Sequence, residues 1–79
     1  MTPDELRDVR TTLSKRWGLD SPLSLAEMAA CLKLRGKFPG ASMRDYERGK
    51  TAITGPLEVA VLGLLAMDEP PEWAELFED

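Results

Sequence analysis

Apolar positions recur at helical spacing in several stretches of the chain. Leu6, Val9, Leu13 and Trp17 follow one another with Arg7, Arg10, Lys15 and Arg16 between them, which predicts a helix over about residues 3–17. Thr2, Pro3 and Glu5 supply an N-cap, a first-turn proline and a capping box, and Gly18 supplies the stop. After a connection at 19–22, Ser24 and Glu27 form a second capping box ahead of Met28, Ala29, Ala30, Cys31 and Leu32. This short helix, rich in small residues, is expected to end near Leu34. Residues 35–40, with two glycines and a proline, are the most turn-prone stretch. A third helix is expected over about 41–48, closed by Gly49.

Thr54, Gly55 and Pro56 open a fourth helix with the stripe Leu57, Val61, Leu64 and Leu65. Val59 and Leu62 broaden that stripe, which predicts burial on more than one side. Pro70 and Pro71 end the helix, and Trp73, Leu76 and Phe77 fall on one face of a further turn over 72–77. There is no repeat and no alternating strand pattern. The fold class is all-α, a bundle of four to five helices.

At 79 residues there is room for one core, and a chain this short buries only about 60% of its unfolded surface. A dimer would add buried surface. The one cysteine excludes an internal disulfide, and the absence of histidine excludes His-containing zinc sites and His-dependent nucleophilic catalysis. No phosphate loop, metal cluster or nucleophile–base pair is present, so no enzyme activity, metal, cofactor or small-molecule ligand is expected. Residues 59–67 are too few to span a bilayer, and the N-terminus resembles no signal peptide, so no membrane partner and a cytoplasmic location are expected.

The net charge of −4 is unevenly spread. Residues 68–79 hold Asp68, Glu69, Glu72, Glu75, Glu78 and Asp79 and no cation, whereas residues 1–67 hold ten basic and eight acidic residues. Between Ser24 and Thr54, Lys33, Arg35, Lys37, Arg44, Arg48 and Lys50 face only Glu27, Asp45 and Glu47. Charge close to a phosphate governs the counterion term, so a distant acidic tail does not veto nucleic-acid binding. The division is a domain over 1–67 and an acidic tail over 68–79.

Leu6-Arg7-Asp8-Val9-Arg10, followed by Leu23-Ser24-Leu25-Ala26-Glu27-Met28-Ala29, and then Ser42-Met43-Arg44-Asp45-Tyr46-Glu47-Arg48-Gly49-Lys50, together resemble the Cro/repressor (XRE-type) helix-turn-helix family over about residues 2–67. The resemblance implies a lambda-repressor-like bundle whose second and third helices form the helix-turn-helix, with the third in the major groove of duplex DNA. Ala41, Ser42, Arg44 and Asp45 then take base-contact positions, Arg44 foremost because a guanidinium donates twice to guanine. Ser24, Leu25, Lys37, Arg48, Lys50 and Thr51 take phosphate-contact positions. Arg10 and Glu47 form a structural ion pair, and Tyr46 packs in the core.

The sequence departs from the family in a longer link over 14–23, a longer turn over 35–41, and Leu25 where many members have glutamine. Leu62, Leu65, Trp73, Leu76 and Phe77 are dimer-interface candidates, although the last three also suit packing within the monomer. Cys31 reads as a small buried hydrophobe. The function implied is a sequence-specific transcriptional regulator, an autorepressor bound as a homodimer to an inverted-repeat operator. The competing reading is a protein-binding module on the same scaffold, such as an antitoxin or an inhibitor of a basic partner.

Overall fold

Three of the four helices start on a side-chain cap, and the third starts on a proline instead. A computed structural model describes residues 1–34 and 37–74. Helix α1 (Pro3–Arg16) starts on a complete capping box: the Glu5 amide donates to Thr2 Oγ1 at 3.1 Å and the Thr2 amide to Glu5 Oε1 at 2.9 Å. Asp4 and Glu5 in its first turn and Lys15 and Arg16 in its last both favour the helix dipole. Helix α2 (Leu25–Cys31) repeats the device with Ser24 and Glu27 at 3.0 and 2.9 Å. Helix α3 spans Pro39–Glu47 and α4 spans Gly55–Leu65, the latter capped by Thr54. A 3₁₀ turn follows at Glu72–Ala74.

Three helices end in one and the same way. At α1, Leu19 donates its amide to Ser14 O at 2.9 Å across Gly18, whose φ is +72°. At α3, Lys50 donates to Asp45 O at 2.9 Å across Gly49, φ +75°. Both are Schellman closures that need a left-handed residue, which glycine supplies at no steric penalty. At α2 the left-handed residue is Lys33, φ +54°, with Leu34 donating to Ala29 O at 3.0 Å. That closure ends α2 at Cys31, three residues short of the expected Leu34.

Helix α3 begins at Pro39, two residues before the expected start. Proline's fixed φ suits a first helical position, and the Phe38 carbonyl accepts both the Ala41 and Ser42 amides. The expected turn over 35–41 therefore yields its last three residues to the helix.

The core gathers Leu6, Val9 and Leu13 of α1 and Trp17 at its C-cap with Leu23, Met28, Ala29 and Cys31, Met43 of α3, and Leu57, Val61 and Leu64 of α4. The long link after α1 is tied inward by the Ser14 hydroxyl, which donates to Ser21 O at 2.7 Å. The ends of α1 and α4 are joined by the Trp17 indole donating to Met67 O at 3.0 Å and Arg16 donating to Leu65 O at 2.6 Å. Helix α4 is buried on one side only. Val59 stays 69% and Leu62 53% exposed, contrary to the expectation of burial on more than one side. Tyr46 is half-buried against the core, and Ala74 of the tail is part of it. Among the described residues all regular structure is helical, and no helix is long and apolar enough to cross a membrane.

Candidate nucleic-acid interface

Helix α3 turns Met43 and Glu47 inward and a polar face outward. Positions 41, 44, 45 and 48 follow the i, i+3, i+4, i+7 spacing of one helical side. Arg44 and Arg48 there are exposed, Ala41 and Asp45 are half-buried, and Ser42 is exposed beside them. The aim of this face is fixed from behind. Arg10 donates from Nε to Glu47 Oε2 and from Nη2 to Glu47 Oε1, both at 2.7 Å. Its Nη1 donates to Leu23 O at 2.9 Å, on the chain entering α2. One guanidinium thus ties α1, the start of α2 and the end of α3. Arg7, one turn earlier, donates from Nη2 to the Glu47 main-chain oxygen at 3.3 Å, and its Nε lies 3.8 Å from Glu47 Oε1. The family resemblance pairs Glu47 with Arg10 alone. The i, i+3 spacing of Arg7 and Arg10 on α1 was the signal available for the second cation.

The N-terminal ends of α2 and α3 lie side by side, and a methyl built on Gly40 would rest 3.5 Å from the Ala26 amide nitrogen. Between them is an open groove of about 530 Å³. Five residues expected as DNA contacts line it: Ser24, Leu25, Lys37, Ala41 and Arg44. The Ser24 hydroxyl already accepts the Glu27 amide, while the first amides of α2 have no partner within the helix. Ser42, Asp45 and Arg48 lie outside the groove lining, as do Lys50 and Thr51, whose amides both donate to Asp45 O.

Among the described residues, Lys37, Arg44, Arg48 and Lys50 are exposed and none forms an ion pair, whereas Arg7 and Arg10 are both engaged. Phe38, within the turn expected over 35–40, stands 67% exposed at the groove. Set against known proteins, the chain matches no family model, no curated protein and no solved structure.

The dimer candidates fall elsewhere. Leu62 is exposed and Leu65 half-buried on α4. Trp73 is engaged within the chain, its indole donating to Cys31 O at 3.0 Å with the Lys33 ammonium 4.8 Å from the ring centroid. The left-handed backbone at Lys33 thus sits beneath the tail it holds by a cation–π contact. Leu76 and Phe77 lie outside the described residues, as does Arg35.

Cys31 is buried, and that burial, with a smaller contribution from Glu27, pushes its thiol from an ordinary 9.0 up to about 11. Only the thiolate is nucleophilic, so the shift alone lowers its reactive fraction at pH 8 about a hundredfold. Iodoacetamide labelling of the folded protein is expected to be slower than that of the urea-unfolded chain by at least that factor. Equal rates would show an accessible thiol.

Proposed function

We propose that the chain is a sequence-specific, double-stranded-DNA-binding transcriptional regulator of the Cro/repressor helix-turn-helix type. In this reading it is a cytoplasmic autorepressor that holds an inverted-repeat operator as a homodimer. Helices α2 and α3 are its helix-turn-helix, α3 enters the major groove, and Arg44 reads a base edge while Lys37, Arg48 and Lys50 hold phosphates. The observation that carries the reading is the groove between α2 and α3. It is lined by five of the expected contact residues, and the exposed cations in and around it have no acidic partner among the described residues. The outer side of α4, where Val59 and Leu62 are exposed, is the surface for the second protomer. The two half-sites then lie about one helical turn apart.

The test is an electrophoretic shift with the intergenic DNA upstream of the gene, run beside a light-scattering mass. Arg44→Ala is expected to weaken specific binding by about 1–3 kcal/mol, roughly 5- to 150-fold. Its melting temperature should stay unchanged, because the side chain is exposed. A wild-type protein that shifts no duplex at low salt sinks the reading. A mass of one chain at the concentration that gives the shift sinks the dimer.

A second reading, a module that binds a basic protein as antitoxin or inhibitor, is favoured by one observation, the six acidic residues in 68–79. It predicts no shift at physiological salt and an activity that depends on Glu72 and the acidic residues after it.

A further inference from the structure

Resting on the DNA-binding reading above, we infer that Phe38 reads the operator through the C5-methyl group of a thymine. The chain's other described aromatic rings are accounted for internally. Trp17 and Tyr46 pack on the core, and Trp73 donates its indole N–H to Cys31 O. Phe38 is 67% exposed.

Its position is set by the backbone. The proline that follows disfavours helical geometry at Phe38, whose backbone sits outside the helical region at φ −133°, ψ 75°. Its carbonyl is fixed by the Ala41 and Ser42 amides at 3.1 and 3.2 Å. The ring therefore stands on a constrained stalk immediately ahead of α3.

The surroundings select the partner. Leu25, Ala26 and Ala41 share the groove with the ring, and Lys37 and Arg44 are its cations. The Lys37 ammonium lies 6.0 Å from the ring centroid, the outer limit of a cation–π contact, and leaves most of the ring open. Cations unpaired among the described residues, around an apolar floor, suit a polyanion that carries an apolar group. Of the groups a major groove presents, the thymine methyl is the apolar one, and phenylalanine is among the side chains that contact it. An apolar protein partner would cover the ring equally well, but would leave Lys37 and Arg44 without counter-charge.

The test begins with the full chain selecting duplexes from a random synthetic library at low salt. Each thymine of a selected duplex is then replaced by uracil, which deletes the methyl and nothing else. One replacement per half-site is expected to weaken binding of the dimer roughly fifteenfold, about fourfold for each of the two buried methyls. Phe38→Ala is expected to bind the thymine and uracil duplexes equally, with an unchanged melting temperature. Arg44→Ala should weaken both duplexes alike and keep their ratio. Uracil tolerated at every position, or discrimination that survives in Phe38→Ala, overturns the inference while leaving the DNA-binding reading intact. A selection that retains no duplex defeats that reading first, and the inference with it.

Discussion

Glu47→Ala is expected to cost about 3–5 kcal/mol of folding stability, the range for breaking a buried ion pair on one side. Exposed pairs contribute only about 0–1 kcal/mol, so burial decides which figure applies. Glu47 is 5% exposed and accepts two hydrogen bonds at 2.7 Å from one guanidinium. Removing it leaves Arg10, itself only one-fifth exposed, with Leu23 O as its single remaining acceptor. Because Arg10 keeps some contact with water, the lower end of the range, about 3 kcal/mol, is expected. A domain of this size is stable by about 4–12 kcal/mol in all, so the loss is a large share of the total. In urea, where small domains have slopes of about 1 kcal/mol/M, the midpoint should fall by roughly 3 M.

The control is Arg10→Met combined with Glu47→Leu, which deletes both charges and keeps the volume. Such replacements are often neutral or stabilising, so the double variant should recover much of the loss. A midpoint shift for Glu47→Ala worth under about 1 kcal/mol would mean that the pair behaves as a surface pair. The consequence for function follows from the same atoms. Arg10 and Arg7 hold the end of α3, so even a variant that folds presents the outward face of α3 less rigidly.

If the proposed DNA binding holds, raising salt is expected to be the strongest lever on it. Each phosphate neutralised contributes about −0.9 to the slope of log affinity against log salt. Lys37, Arg48 and Lys50 are exposed and unpaired among the described residues. In the proposed homodimer, two protomers would bring six such side chains to the duplex. Affinity should fall by about a thousandfold between roughly 50 and 200 mM salt. Lys50→Ala should weaken binding alike on specific and unrelated duplexes and flatten the slope by about one per protomer. Arg44→Ala should instead cut the preference for the specific site. An affinity indifferent to salt would be incompatible with a phosphate-held complex.

The acidic tail makes this a fair test. Its charge sets the sign of the whole chain, so a prediction from net charge alone would be no binding. The prediction from the exposed cations near α3 is binding with a steep salt slope. The two differ because net charge counts every residue equally, whereas an exposed charge acts on a phosphate only within about 10 Å at 0.1 M salt.

Much of the fold was legible because its signals are local. Thr2 with Glu5, Ser24 with Glu27, and Thr54 each satisfy amides three residues away, and Gly18 and Gly49 close helices through their own backbone freedom. The apolar stripes of α1 and α4 could be read from spacing for the same reason. What the sequence left open depends on groups far apart in the chain. Lys33 takes a left-handed conformation that its own side chain does not favour, beside a tryptophan forty residues later. Pro39 reads as a turn residue until the chain around it becomes a helix start. Arg7 gains its role from the main-chain oxygen and carboxylate of a glutamate forty residues away, and Val59, Leu62 and Phe38 are exposed because no other part of the described chain reaches them. Periodicity states that a side is apolar; only the packed chain decides whether anything within the monomer covers it.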